Sequence, residues 1–215
     1  MTLTAELTQR YSGQWNAMTH HTFITQVAER SIALENFNKW LVQDYLYVKG
    51  LVGFLGSLIA RAPDSLTAPL GAAVGVLGDE LTLFEQMARE LGAELKGAEL
   101  SPNCQHYMYF LDSVASRHGF LAGLAVYWAM EKAYLDSWRV VREESSEAAE
   151  WQAFVIQWTK PEFAQWVEFI GGEADRLAEG VSEAERELIA GLFLRVIQYE
   201  CLFWDIAVTD SRWPV

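Results

Sequence analysis

Between residues 34 and 58, Phe37, Trp40, Leu41, Tyr45, Val48, Leu51 and Val52 recur at intervals of three and four residues. That repeat is one face of an α-helix, and comparable runs span residues 66–92 and 182–208. No segment sustains the period-two alternation and hairpin turns of a sheet. The spacing therefore predicts an all-α chain, a bundle of seven or more helices. With 215 residues and 51% hydrophobic content, it has enough apolar surface for one core, and residues 1–215 read as a single domain.

Local signals divide the chain. Residues 2–16 read as a first helix carrying Trp15, and His20-His21 as the start of the next. Ala62-Pro63-Asp64 breaks the helix of residues 34–58, and Gly92 stops the one that follows, where Asp79, Glu80 and Glu85 look solvated. Ser101-Pro102 re-enters helix, and Lys160-Pro161 does so again. Gly171-Gly172 is expected to loosen its segment, and residues 143–150 form a solvated acidic run. Ser182-Glu183-Ala184-Glu185 has the form of a capping box.

Charge and composition narrow the function. The net charge is −13 with no Lys/Arg cluster, which argues against a nucleic-acid or anionic-membrane partner. The longest apolar runs are broken by Gly and polar residues and fall short of a membrane span. No signal peptide is visible at the N-terminus, and Cys104 and Cys201, without a CxxC spacing, are expected to be free thiols in the cytoplasm. Four His residues with no Glu-x-x-His pair are poor material for a di-iron, zinc or heme site, so no metal and no cofactor is expected. Phosphate-binding and nucleophile-elbow signatures are lacking too. Nine Trp residues suit a cavity for a flat ligand.

What remains is acids set among aromatics. Residues 121–138, LAGLAVYWAMEKAYLDSW, are apolar for ten residues before Glu131. Tyr127, Glu131 and Tyr134 share one helical face, and a carboxylate there is costly unless it is paired or used. A core helix with one snorkelling glutamate is the alternative. Asp44 and Tyr47 share a face at i, i+3, and Glu200 lies in VIQYECLFWDIA. Each acid alone reads as structural; three on separate helices, each beside aromatics, point to a shared small-molecule cavity. Cys201 projects roughly 100° from Glu200, and neither thiol has a basic neighbour, so both read as unreactive.

The pieces W-N…H-x-F, F-x-x-W-L-x-Q-D-Y-x-Y, E-K-A-Y-x-x-S-W and Y-E-x-x-F-W-D-x-A occur in the order found in the TenA, or thiaminase II, family. The chain resembles that family from Trp15 to Ala207. The resemblance implies a heme-oxygenase-like helical fold and a thiamin-salvage hydrolase. Such an enzyme converts 4-amino-5-aminomethyl-2-methylpyrimidine, and in some members its N-formyl derivative, to the hydroxymethyl compound. Carried over by motif, Asp44 binds the aminopyrimidine edge, Tyr47 orients it and Tyr107 lines the pocket. Trp158 stands where another pocket tyrosine is found, and Glu200 is the proton-transferring acid of the last helix. Many members carry a nucleophilic Cys in the central helix; here the segment reads AVYWAMEKAY, similar to the Glu-type branch, TenA-E, with Glu131 in that role.

That exchange changes the chemistry. A thiolate displaces a leaving group covalently, whereas Glu131 activates water while Glu200 protonates the ring or the departing amine. Cleavage of intact thiamin is not expected without the Cys. The resemblance also implies a homodimer or homotetramer. Two other readings stand beside it: a non-catalytic pyrimidine-binding or regulatory protein, and an oxidase-like relative, which the shortage of histidines disfavours.

Overall fold

Helix caps and breakers set the boundaries seen in the computed structural model, which describes residues 1–144, 151–209 and 211–213. Among these there are ten helices and no strand: α1 (Leu3–Arg10), α2 (Ser12–Thr19), α3 (Thr22–Ala28), α4 (Leu34–Ile59), α5 (Asp64–Leu91), α6 (Pro102–Arg117), α7 (Phe120–Glu144), α8 (Gln152–Thr159), α9 (Pro161–Leu177) and α10 (Glu183–Val208). The all-helical expectation holds. Residues 2–16, read as one helix, are two: Tyr11, at φ −112° and ψ 24°, breaks the run between α1 and α2. The acidic run of residues 143–150 lies, but for Glu143 and the backbone of residue 144, outside the described residues.

The caps follow the sequence. His21 accepts the Phe23 amide at 3.2 Å to open α3, Ser101 accepts the Cys104 amide at 3.3 Å to open α6, and Ser182 accepts the Glu185 amide at 3.2 Å at the head of α10. Gly92 closes α5 in the left-handed region, φ 71°, a conformation glycine adopts without strain.

The chain forms two units, residues 1–32 with 121–201, and residues 33–120 with 202–215. In the first unit α1 is fastened to α9: the Thr4 amide and hydroxyl donate to the two Asp175 carboxylate oxygens at 2.7 and 2.8 Å. Trp15 and Trp128 lie on Phe193, with centroids at 5.3 and 5.7 Å. In the second unit Trp40 packs between Phe37 and Phe84 at 5.0 and 6.2 Å.

Two sequence expectations on α5 are overturned. Glu80 is buried, 7% exposed, because it is in phase with Leu77 and Phe84 on the core face. The apolar runs were expected to fall short of a membrane span, but by length and composition α5 is sufficient for one. Its window has mean hydropathy 1.2 and is 28% buried.

Gly171 does not loosen α9, which runs unbroken to Leu177. A Cβ at this position would lie 2.7 Å from Trp128 Nε1 and 3.0 Å from Cδ1, so glycine is what permits α7 and α9 to approach. Gly171→Ala is expected to lower Tm. Overpacking a rigid, stacked indole costs about 1–3 kcal/mol and exceeds the roughly 0.5–1 kcal/mol gained by removing a helical glycine. Gly172→Ala, with nothing within 4 Å of its added methyl, should raise Tm; equal signs in paired thermal melts would refute this account.

Candidate active site

The sequence-predicted residues fall into two groups, one in each unit. In the second unit, Asp44 and Tyr47 are buried one turn apart on α4, 1% and 4% exposed. Gln43 fixes what lies beside them. Its Nε2 donates to the Glu99 carbonyl at 2.9 Å and its Oε1 accepts the Ser101 amide at 2.8 Å, which ties the head of α6 to α4. Cys104 Sγ then donates to the Gln43 carbonyl at 3.7 Å. One turn further along α6, Tyr107 meets Tyr47 with ring centroids at 5.1 Å. Phe203 of α10 closes the cluster, at 5.3 Å from Tyr47 and 6.4 Å from Tyr107. The result is a buried carboxylate on the same helix as one of two phenols that meet a phenyl ring.

Burial pushes the Cys104 thiol well above its ordinary pKa, and the negative charge of Asp44 pushes it further. A thiol held protonated is no nucleophile, in agreement with the sequence reading. Native protein at pH 8 should therefore expose at most one thiol per chain, Cys201, to Ellman's reagent, and denatured protein two. Two fast native thiols would contradict the assignment.

In the first unit, α7 carries Tyr127, Glu131 and Tyr134 in one stripe. Tyr127 and Tyr134 are buried, and Glu131 is partly accessible. Its neighbour Lys132 turns to Asp136, Nζ to Oδ2 at 2.6 Å, and Trp15 Nε1 donates to the same oxygen at 2.9 Å. Tyr134 meets Trp158 of α8 edge-on at 5.2 Å, and Trp158 stacks on Phe154 at 5.3 Å and 10°. The Trp158 indole is thus held as part of an aromatic stack. Glu200 on α10 is fully buried. Within this unit the two acids stand in unlike settings, Glu131 in reach of solvent and Glu200 removed from it.

Gln43, Phe203 and Trp166 were not singled out in the sequence as site residues. Trp166 Nε1 donates to Tyr127 Oη at 3.2 Å. Phe203 follows Glu200 by three positions on one helix, a spacing that could have flagged it; Trp166 has no such local signal. Two open clefts, of about 650 Å³ in the second unit and about 340 Å³ in the first, contain none of the predicted residues. Among the described residues no group of three or more His, Cys, Asp or Glu is placed to hold a metal ion.

Ten helices among the described residues, with buried carboxylates set beside aromatic rings, describe an all-α protein with polar groups suited to a small molecule. The comparisons give the family. The TENA/THI-4/PQQC family profile matches residues 8–210, and the chain belongs to that family. It is similar to a TenA homologue from Pyrococcus furiosus of known structure, 37% identical, covering 95% of this chain and 99% of that one with a TM-score of 0.92. Among curated relatives it is similar to a "Probable bifunctional TENA-E protein" of Glycine max, 25% identical over 90% of this chain and 87% of the relative. The "Aminopyrimidine aminohydrolase" of Halalkalibacterium halodurans is 24% identical, with 99% and 98% covered.

Proposed function

We propose that this chain is an aminopyrimidine hydrolase of thiamin salvage. It takes 4-amino-5-aminomethyl-2-methylpyrimidine and water and releases the hydroxymethylpyrimidine with ammonia; the N-formyl derivative first loses its formyl group as formate by hydrolysis with a second water. The observation that carries the reading is the match of residues 8–210 to a family whose full-length relative is named for that activity, on a chain that has acids at each of the motif positions Asp44, Glu131 and Glu200.

In this reading Asp44 accepts hydrogen bonds from the exocyclic amine of the pyrimidine, and Tyr47 and Tyr107 hold the ring in plane. Tyr127 and Tyr134 line the pocket and Trp158 gives its ring face to the heterocycle. Glu131 removes a proton from water as it attacks the methylene carbon, and Glu200 donates one to the pyrimidine or to the departing nitrogen. The C–N bond breaks as the C–O bond forms, and the base and acid exchange one proton each per turnover. Two carboxylates divide these tasks, Glu200 from a fully buried position and Glu131 from one that solvent reaches. No cofactor is needed for these steps.

Two further features belong to the proposal. Free Cys104 and Cys201 support a cytoplasmic location. The exposed apolar side of α5, where Val76 is 46% exposed, supports a homodimer or homotetramer, which light scattering on the eluting peak would test.

The deciding assay is ammonia release from the aminomethylpyrimidine, with thiamin and the N-formyl compound run alongside and formate release scored as well for the latter. Turnover of either salvage compound without thiamin cleavage is the expected result. Thiamin cleavage would mean another nucleophile serves, and saturable quenching of Trp fluorescence without turnover would make the chain a pyrimidine-binding protein.

A further inference from the structure

Trp166 of α9 has no place in the chemistry described so far, yet it is joined to one of the pocket tyrosines. Its Nε1–H donates to Tyr127 Oη at 3.2 Å, across 39 positions of sequence. The two rings meet edge-on at 6.3 Å and 63°, and Phe169 backs the indole from one turn along α9, stacked at 5.6 Å and 29°.

The chemistry of the two groups makes this bond directional. An indole nitrogen only donates, whereas a phenol both donates and accepts. The phenolic O–H lies in the ring plane, because the oxygen lone pair conjugates with the ring, so the proton has two orientations. With Trp166 donating on one side, the Tyr127 proton is turned to the other, and the hydroxyl acts there as a donor. Tyr127 is 2% exposed, so water does not scramble that choice. The register of the helices enforces it: Trp128, the next residue on α7, seats against Gly171 one turn beyond Trp166 on α9. Adjacent residues of α7 thus engage successive turns of α9, and the indole is carried to the phenol.

We propose that Trp166 is a positioning residue that locks the Tyr127 hydroxyl as a hydrogen-bond donor to an acceptor atom, a ring nitrogen, of the bound aminopyrimidine. The inference rests on the functional reading above, which puts substrate beside Glu131, one turn from Tyr127 on the same face of α7. It explains why a part-buried tryptophan is used: a phenylalanine would fill the space and leave the hydroxyl free to reverse and meet an acceptor with its lone pair.

A double-mutant cycle tests this. Trp166→Phe keeps an aromatic ring against Phe169 and removes the N–H; Tyr127→Phe removes the hydroxyl it acts through. Each single variant should lose about three- to tenfold in kcat/KM for ammonia release, and the double variant should lose no more than the worse single, because both act through one hydroxyl. Trp166→His, which returns a ring N–H, should recover part of the loss although it fills less space, an outcome that a purely structural role would reverse. Thermal melts of all four proteins separate folding from catalysis. Unchanged kcat/KM in Trp166→Phe, or losses that multiply in the double variant, would overturn the proposal with the hydrolase reading intact. A wild-type protein that releases no ammonia would overturn both.

Discussion

Glu131→Gln is expected to lower kcat for aminomethylpyrimidine hydrolysis by about 10²–10⁴-fold, the usual contribution of a positioned general base, with Tm and far-UV circular dichroism unchanged. Glutamine keeps the shape and hydrogen-bonding reach of the side chain, and the position is partly accessible, so the substitution strands no buried charge. What it removes is the ability to take a proton from water. The kinetic split is informative: loss of the base lowers kcat and leaves KM nearly fixed, whereas loss of a substrate contact raises KM with kcat retained. Full turnover in Glu131→Gln would eliminate the base and leave Glu131 as the snorkelling side chain of a core helix. The neighbouring charge does not confuse the experiment, because Lys132 is held at 2.6 Å from Asp136.

The helices were legible because their signals are local. The stripe on α4 and the capping residues His21, Ser101 and Ser182 each act within four positions of themselves, so sequence spacing carries them. The misreadings have different origins, and only one of them turned on a partner distant in sequence. Gly171 reads as a weak point until Trp128 is seen against it. Glu80 carries a charge, and its type outweighed its phase in the reading, although Leu77 and Phe84 on the same stripe already marked a buried position. The break at Tyr11 has no glycine or proline to announce it.

The site divides in the same way. Asp44, Tyr47 and Glu200 were legible from their aromatic, helical context and Tyr107 from the family resemblance, and all four are buried. Their proposed roles come from the family resemblance alone. The long-range bonds beside the candidate residues were not legible: the Gln43 clamp spans 56 and 58 positions to its partners, and the Trp166–Tyr127 bond spans 39. A side chain's residue type can be read in its own neighbourhood, but the group that orients it is chosen by the fold.

Trp138→Ala is expected to cost about 3–5 kcal/mol, the range for deleting a buried large aromatic, and to raise KM. Trp138 is fully buried, with ring centroids 5.0 Å from Trp158 and 6.2 Å from Phe154. Removing it leaves a void that helices tied at both ends close only in part, so the transfer term and the cavity term add. A domain of this kind is stable by about 5–15 kcal/mol, so urea melts should show a large fall in midpoint, while the exposed Ile156→Ala control on α8, 57% exposed, should move by less than about 0.5 kcal/mol. The catalytic consequence follows from the same contact. Trp158 is held between Phe154, Tyr134 and Trp138, and losing one wall lets the indole tilt away from the plane in which the proposed function has it stack on substrate. KM should then rise several-fold with kcat reduced less, because stacking holds the ground state and the transition state alike. A cost below about 1 kcal/mol would mean that the void collapses freely and that Trp158 is held by Phe154 and Tyr134 alone.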